Sequence, residues 1–235
     1  LPVDLIVGLG PAIPALRPAT STIPIVMTGA GDPVAQGLVH SLARPGGNIT
    51  GLTLQSVDTV GKRLEMLTEI ARPAGAIAVL WDRYSLAHWR EAQLAVRSRG
   101  WRLLSLEIRD AGQIDAAFAA AREARASALV VFNSALFDAQ ARRLAALAAN
   151  ARLPAVYGLR LYVELGGLMA YGPDLTENWR RAAGFVDKIL KGAKPGELPV
   201  EQPTQFELVL NMRAANALGL TIPQSLLLRA DEVIQ

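Results

Sequence analysis

The segment Ile23–Leu54 reads IPIVMTGAGDPVAQGLVHSLARPGGNITGLTL, in which a short apolar run precedes a glycine-rich turn and a second apolar pattern. The run at Ile25–Met27 is typical of a buried strand. The glycines after it allow a sharp turn, because glycine has no Cβ to oppose positive φ. Asp32 and Pro33 suit the N-cap and first position of a helix, which apolar spacing predicts over residues 34–42. The segment therefore predicts a strand, a turn and a helix that together form a ligand shelf.

Strand and helix patterns alternate on both sides of this segment, and such alternation indicates a parallel sheet with helical crossovers. Residues 223–231 are predicted to lie on the surface. Residues 50–54 are predicted as either a strand or a crossing segment. The other predicted strands are 5–7, 77–80, 101–106, 128–132, 155–157, 168–171 and 206–211, and the other predicted helices are 59–71, 86–99, 114–122, 137–150, 176–190 and 212–218.

The composition is that of an ordinary globular protein and excludes several kinds of chemistry. The chain has 235 residues, of which 51% are hydrophobic and 19% are charged, and its formal net charge is +3. Its arginines are scattered, without the clustered basic and aromatic surface of a nucleic-acid-binding protein. The absence of cysteine excludes disulfides, thiol nucleophiles and cysteine-bound metals, and two histidines leave little scope for a metal site. We therefore expect no metal and no nucleic-acid partner. In addition, no apolar run of the sequence reaches membrane-spanning length.

The motifs of common α/β enzymes are absent or incomplete. Gly8 and Gly10 form only part of a dinucleotide fingerprint, whose third glycine is replaced by Ile13. Neither a phosphate-binding Gly-Lys-Ser/Thr loop nor a Gly-x-Ser-x-Gly elbow occurs. His40 and His88 fall within predicted helices, where a surface or packed histidine is expected rather than a catalytic base. The sequence therefore predicts a protein that is not an enzyme, without catalytic residues and without a cofactor.

Four candidate binding residues lie at the first two predicted turns: Gly10, Ala12, Thr28 and Asp32. Backbone N–H groups at the start of a helix attract a carboxylate, because they are unpaired and lie at the positive end of the helix dipole. Gly10 and Ala12 occupy one such start, and Thr28 precedes the next one. Asp32 either accepts the ammonium group of a ligand or only caps its helix, and the sequence leaves both roles open.

Six further candidates stand where predicted strands of the middle region end. The carboxyl ends of parallel strands meet at one edge of a sheet, so these side chains are expected to share a rim. Aromatic rings at this rim can stack on an apolar ligand, and Asn and Ser side chains can supply hydrogen bonds. The six are Asp82, Tyr84, Asn133, Ser134, Tyr157 and Tyr171.

Five longer motifs follow one another along the chain: GDPV (31–34), SLARPGGNITGL (41–52), KRLE (62–65), GGLMAYGP (166–173) and ALGLTIP (217–223). Together they resemble the substrate-binding proteins of ABC transporters that include the tryptophan and aromatic amino-acid binders. The resemblance covers essentially the whole chain, with the motifs in the same order as in the family. The chain departs from the family at Asp82 and Arg83, where an Asn-Pro pair is more common.

The resemblance implies an α/β fold of the type I periplasmic-binding-protein kind, with two Rossmann-like lobes, parallel sheets and an interlobe cleft. The implied first lobe consists of residues 1–72 and 173–235 and is truncated at its N-terminus relative to the family; the second lobe consists of residues 73–172. The implied function is that of the solute-binding component of an ABC importer, which captures a small molecule such as an aromatic amino acid. A membrane permease is the implied partner. We expect a monomer in the periplasm or lipid-anchored outside the cytoplasm, with a signal sequence that is not present in this chain.

Two other functions are compatible with the same pattern of strands and helices. The ligand-sensing domain of a regulator or receptor has the same two-lobe fold, and a regulator of this type carries a DNA-binding segment upstream. An α/β enzyme of flavodoxin-like shape is the third candidate, and the missing catalytic motifs disfavour it. A signal peptide upstream would favour transport, whereas a helix-turn-helix would favour regulation.

Overall fold

A computed structural model describes residues 3–10, 12–54, 57–71, 74–97 and 99–235. Within these residues, strands and helices alternate along most of the chain. In chain order they are β1 (Ile6–Leu9), α1 (Ala12–Leu16), β2 (Ile25–Ala30), β3 (Ile49–Thr53), α2 (Thr59–Ala71), β4 (Ile77–Trp81), α3 (Leu86–Arg97), β5 (Leu103–Glu107), α4 (Ile114–Glu123), β6 (Ala128–Val131), α5 (Ala135–Asp138), α6 (Ala141–Asn150), β7 (Ala155–Tyr157), α7 (Leu161–Glu164), β8 (Met169–Pro173), α8 (Leu175–Leu190), β9 (Phe206–Asn211), α9 (Met212–Leu218), α10 (Gln224–Leu227) and β10 (Glu232–Ile234).

The contacts divide the chain into two units, each built from two separate segments. Unit 1 consists of Leu1–Gln55 and Pro173–Gln205, and unit 2 consists of Ser56–Gly172 and Phe206–Gln235. The predicted lobe boundaries differ from this division, because they assign α2 and the residues after 205 to the first lobe.

Packing explains why both segments belong to unit 2. Leu64 of α2 is buried in one apolar cluster with Ile77 of β4 and Val130 of β6. Strands β9 and β10 extend the sheet of unit 2 beyond β8, and the backbone N–H of Asn211 donates to the carbonyl oxygen of Leu168 at 2.9 Å. These contacts join residues that are far apart in the chain, and local periodicity does not reveal them.

Unit 1 contains a three-stranded sheet in the order β1-β2-β3, and both neighbouring pairs are parallel. Successive residues of β2 point to opposite faces, so Ile25 and Met27 join one apolar cluster while Val26 joins another. The second cluster contains Phe185 of α8, which places that helix against the sheet. All six residues of β2 are buried, as expected for a central strand covered on both faces.

The predicted helix over residues 34–42 is wrong, because turns and bends occupy this stretch. Its backbone begins as a helix would, since the N–H of Gln36 donates to the carbonyl oxygen of Asp32 at 3.0 Å. Gly37 then takes a φ of 67°, which lies in the left-handed region and ends the helical path. The apolar spacing of this segment therefore belongs to a folded turn.

Unit 2 contains a seven-stranded sheet in the order β10-β9-β8-β7-β6-β4-β5. The neighbouring pairs from β8 to β5 are parallel, and so is the pair of β9 and β10. The order reverses at β4, because the chain passes outward to β5 and then returns to β6 on the other side of β4. This reversal creates a topological switch point at the carboxyl ends of β4 and β6, the place where open α/β sheets bind ligands.

Two other parts of unit 2 differ from the prediction. The predicted helix over 137–150 is two helices, α5 and α6, because Gln140 leaves helical geometry with a φ of −110° and a ψ of 14°. Residues 223–231 were expected to lie on the surface, but Leu226 among them is fully buried in the apolar core. The residues that follow form β10 at the edge of the sheet.

Candidate functional site

Two predicted site residues meet at the switch point of unit 2. Asp82 follows β4 and Ser134 precedes α5, and the Ser134 hydroxyl donates a hydrogen bond to Asp82 Oδ2. Asp82 Oδ1 accepts bonds from the backbone N–H groups of Tyr84 and Ser85, each at 3.0 Å, and the Ser85 hydroxyl lies 3.0 Å from the same oxygen. The Asp82 carboxylate is thus buried, hydrogen-bonded at both oxygens, and ties the carboxyl ends of β4 and β6 together.

Asn133 is the residue before Ser134, and its side-chain amide is buried without hydrogen bonds to the described residues. It is 8% exposed, and neither its Oδ1 nor its Nδ2 has a hydrogen-bond partner among the described residues. The amide packs against Gly158, where an added Cβ would lie 1.5 Å from Asn133 Oδ1. A buried amide offers both donors and an acceptor, and buried polar groups are normally paired. Asn133 is therefore the predicted residue best prepared to bind a ligand.

Tyr157 lies at the end of β7, and its ring packs inside unit 2. The ring stacks on Tyr162 with 4.5 Å between centroids and 11° between planes. Burial raises the pKa of Tyr157 well above its ordinary value, so its hydroxyl stays protonated. That hydroxyl has no partner in the part of the chain that the structure describes. Tyr157 therefore offers an unpaired hydroxyl group rather than an exposed aromatic surface.

Tyr171 contacts a buried arginine through its backbone carbonyl group. Its ring lies 6.0 Å, centroid to centroid, from the ring of Phe206 and packs against the apolar core. Its carbonyl oxygen accepts a hydrogen bond from Arg63 Nε at 2.7 Å. Arg63 is a fully buried residue of α2 that the pattern of strand ends does not select.

Arg63 and His88 are buried polar residues outside the predicted set. Arg63 Nη1 and Nη2 and both ring nitrogens of His88 lack partners among the described residues. Burial lowers the pKa of Arg63 to about 10, so the guanidinium stays charged at neutral pH. Burial also lowers the pKa of His88 to about 3, with the positive charge of Arg63 adding to the effect, so His88 is neutral. The sequence does contain a sign that Arg63 is buried, because it lies on the apolar face of α2 with Val60, Leu64 and Leu67.

A cavity of about 430 Å³ opens beside Asp82 at the carboxyl ends of β4 and β5. The predicted residue Tyr84 lines it, and the guanidinium carbon of Arg83 lies 4.7 Å from the centre of the Tyr84 ring. Glu107 and Arg109 add charges of both signs to its wall. The cavity combines an aromatic ring with positive and negative groups, which suits a small zwitterion.

Among the predicted residues of unit 1, two form hydrogen bonds between neighbouring strands and a third is exposed at the surface. The N–H of Gly10 donates to the carbonyl oxygen of Gly29 at 2.9 Å, so it is not available as the expected anion seat. Ala12 is exposed at the start of α1, which is five residues long. The buried Thr28 hydroxyl donates to the carbonyl oxygen of Gly8 at 3.2 Å and joins β2 to β1.

Asp32 caps the turn that follows β2. Its Oδ1 accepts hydrogen bonds from the backbone N–H groups of Val34 at 3.1 Å and Ala35 at 2.9 Å. The capping role is therefore confirmed, although the capped segment is a turn rather than the predicted helix. Contact with a ligand ammonium group, the other role that the sequence leaves open, stays a prediction.

The chain matches a known protein family over almost its whole length. The profile of the family described as ABC transporter substrate binding protein matches residues 2–234. The chain belongs to this family. Its members are a non-enzymatic class of extracytoplasmic proteins that bind small-molecule solutes and work with permeases. Among the described residues of the chain, no helix is both long and apolar enough to cross a lipid bilayer.

Relatives of the chain are found among curated proteins and solved structures. The tyrosine-binding protein of Clostridioides difficile is 25% identical over 219 residues, which cover 92% of the chain and 63% of that relative. The chain thus spans less than two thirds of the length of the curated relative that it matches. Two solved structures share a TM-score of 0.86 with it: an ABC domain from Streptococcus pneumoniae in complex with L-Trp, and a conserved domain protein from Vibrio cholerae.

The two solved structures are 25% and 30% identical to the chain, respectively. The alignments cover 98% and 99% of the chain and 79% of each relative. This likeness confirms the predicted α/β fold of the type I periplasmic-binding-protein kind, with parallel sheets.

Proposed function

We propose that this chain is the solute-binding component of an ABC importer and that it binds an amino acid, with aromatic amino acids as the first candidates. Family membership supports the proposal, as do the L-Trp bound to the Streptococcus pneumoniae relative and the name of the Clostridioides difficile relative. The observation that carries it is the buried Asn133 amide at the switch point of unit 2, whose polar atoms lack partners among the described residues. Ligands of open α/β sheets bind at such points.

The predicted residues take different roles in this proposal. Asn133 hydrogen-bonds the solute, and Tyr84 provides aromatic surface in the neighbouring cavity. Asp82 and Ser134 hold the strand ends that position these contacts, a role that their mutual hydrogen bond supports. Asp32 receives an ammonium group in addition to capping its turn. Gly10, Thr28, Tyr157 and Tyr171 support the carboxyl edge of the sheet in their own unit, and Ala12 stays a candidate contact at the exposed start of α1.

Calorimetric titration of the full chain with the standard L-amino acids tests the proposal. We expect an aromatic amino acid to bind, and Asn133→Ala to weaken that binding roughly tenfold or more, since a lost hydrogen bond costs about 1–2 kcal/mol. Asn150→Ala is the matched control, because Asn150 is exposed at the end of α6. Absence of both binding heat and a melting-temperature shift across the whole panel would contradict the proposal.

The proposal extends to partners and location. The protein acts as a monomer in the periplasm or lipid-anchored outside the cytoplasm, passes its solute to a membrane permease, and neither binds nucleic acid nor catalyses a reaction. Family membership supports the permease and the extracytoplasmic location, and it favours transport over the ligand-sensing domain of a regulator. Chemical conversion of any solute in the binding panel would contradict the non-enzymatic part.

A further inference from the structure

Arg63 is a buried positive charge without a counter-ion among the described residues. Its side chain is fully buried, and Nε donates to the carbonyl oxygen of Tyr171 at 2.7 Å. The terminal nitrogens Nη1 and Nη2 are buried as well, and they have no partner in the described ranges. A guanidinium taken out of water is strongly unfavourable unless an anion or several acceptors replace the lost hydration. The two terminal nitrogens of Arg63 therefore require an acceptor from outside the described residues, and an anion meets that need.

His88 and Asn133 are two more buried groups with unused polar atoms in the same neighbourhood. The charge of Arg63 acts on the His88 ring, which lies 5.6 Å, centroid to centroid, from the ring of Phe132. Asn133 is the next residue after Phe132. Both His88 nitrogens and both polar atoms of the Asn133 amide lack partners among the residues that the structure describes.

Two glycines connect Asn133 to Arg63. A Cβ on Gly158 would lie 1.5 Å from Asn133 Oδ1. A Cβ on Gly172 would lie 1.7 Å from the carbonyl oxygen of Gly158 and 3.4 Å from Arg63 Nη2. The backbone thus passes close to Asn133 at Gly158, just after β7, and close to Arg63 at Gly172 of β8.

We propose that Arg63 binds the carboxylate of the solute through Nη1 and Nη2, with Asn133 and His88 as neighbouring hydrogen-bond donors. The planar guanidinium presents a fork of N–H donors that matches the two oxygens of a carboxylate. Asn133 Nδ2 adds two N–H groups, and a neutral His88 adds one. The inference rests on the proposed function, because it names the chemical group by which an amino-acid solute is recognised.

Paired changes in protein and ligand test this contact. Arg63→Met removes the charge, and Arg63→Lys keeps the charge without the planar fork. Lys62→Met is the matched control, because Lys62 is the neighbouring cation on α2 and is exposed. The ligands are L-tryptophan and L-tyrosine, each compared with its amide, which lacks the carboxylate charge. Calorimetry gives the affinities, and circular dichroism checks that each variant is folded.

We expect the wild type to bind the amino acid roughly 30-fold more tightly than its amide, as hydrogen bonds to a charged group predict. Arg63→Met should weaken amino-acid binding by a similar factor and amide binding by less than about threefold, since the amide does not use the charge. Arg63→Lys should lie between wild type and Arg63→Met, and Lys62→Met should match the wild type. Equal weakening of amino acid and amide in Arg63→Met would mean that Arg63 only supports the backbone of Tyr171, and it would overturn the proposal.

A second probe separates failure of this inference from failure of the proposed function. 3-Indolepropionate carries a carboxylate but no ammonium group, and its effect on the melting temperature is measured for wild type and Arg63→Met. Stabilisation of the wild type alone supports the carboxylate site even where no amino acid binds. The same response in both proteins, or no response in either, overturns the site.

Discussion

Asp138 in α5 keeps its proton far into the neutral pH range. Burial raises its pKa to about 7, while the hydrogen bond that Tyr162 donates to Oδ1 opposes the rise and the charge of Asp82 adds to it. An aspartate in the unfolded chain has a pKa of 3.8. Between these two values the folded chain binds a proton that the unfolded chain lacks, so Asp138 lowers stability progressively as the pH rises from about 4 to 7.

Asp138→Asn is expected to remove this pH dependence. The amide still accepts the hydrogen bond from Tyr162 but has no proton to lose, so the variant should match the wild type near pH 4 and exceed its stability above pH 7. The difference should grow by at most about 1.4 kcal/mol per pH unit. Urea unfolding at several pH values measures it, with Asp115→Asn at an exposed position as control. A difference that stays constant with pH would exclude Asp138 as the source.

Substitution can separate the observed capping role of Asp32 from its proposed contact with a ligand ammonium group. Asparagine caps a helical turn about as well as aspartate but carries no charge, whereas alanine provides neither a cap nor a charge. We expect Asp32→Ala to lower the free energy of unfolding by about 1 kcal/mol and Asp32→Asn to leave it almost unchanged. Calorimetry with an amino acid should show weaker binding for both variants, because both lose the partner of the ammonium group. Wild-type affinity in Asp32→Asn would remove Asp32 from the site and leave it as a cap.

The sequence indicates the polar groups at strand ends but not those on helices. Asp82 and Ser134 were predictable because buried strands end at recognisable places, and the two side chains do meet. Arg63 and His88 lie on α2 and α3, and the burial of a polar helix residue depends on contacts with distant parts of the chain. The apolar face of α2 marks Arg63, whereas no comparable pattern marks His88.

Among the elements, α2 shows where helical spacing succeeds and the segment 34–42 shows where it fails. Both have apolar residues at intervals of three and four, and α2 begins and ends as predicted. Gly37 stops the second segment because its backbone takes positive φ. A sequence does not reveal which conformation a glycine adopts, so spacing alone cannot distinguish the two cases.

Helix α10 and strand β10 attach the last part of the chain to unit 2. Leu226 of α10 is fully buried in the apolar core. Asp231 Oδ2 accepts the backbone N–H of Leu208 at 2.7 Å, and Arg160 forms an ion pair with Glu232 of β10. The tail is therefore part of the folded unit, which periodicity over so short a stretch cannot predict.

Leu226→Ala is expected to destabilise unit 2 by about 2–5 kcal/mol, because it leaves a cavity in the core. Leu228→Ala is the matched control, since Leu228 is 77% exposed and its loss should change stability by less than about 0.5 kcal/mol. Urea unfolding followed by tryptophan fluorescence measures both variants. A similar loss in the two proteins would contradict the distinction between the buried and exposed leucines.

On the scale of the whole molecule, the two units differ in the apolar surface that they bury. Unit 2 has seven strands and an apolar cluster that also draws on α2, α3, α9 and α10. Among the described residues, unit 1 has three strands, and its apolar clusters are smaller. Since burial of apolar surface is the main favourable contribution to folding, unit 1 is expected to open at a lower free energy than unit 2.

Hydrogen exchange measured by mass spectrometry should detect this difference. We expect the amides of β2 in unit 1 to exchange roughly tenfold or more faster than those of β6 in unit 2. The two strands are a matched pair, because each is buried and lies between two other strands. Equal exchange would mean that the chain opens in one cooperative step, contrary to the expectation.

The family resemblance predicts the division of the fold into two parts, but the bounds that it implies differ from those of the two units. Helix α2 has a clear apolar face, yet its pattern does not tell whether that face packs on β2 or on β4. The same holds for β9, whose alternation fits the edge of either sheet. Such choices depend on surfaces formed by distant segments, and these surfaces exist only once the sheets have assembled.

The interleaved order of the two units also governs how the protein is made. Strands β1 to β3 leave the ribosome long before α8, the helix that covers them, because most of unit 2 is translated in between. The seven-stranded sheet in turn lacks β9 and β10 until residues 206–234 have been added. Neither core can close while the nascent polypeptide is still short. The growing chain therefore remains open to chaperones until these later segments have emerged from the ribosome.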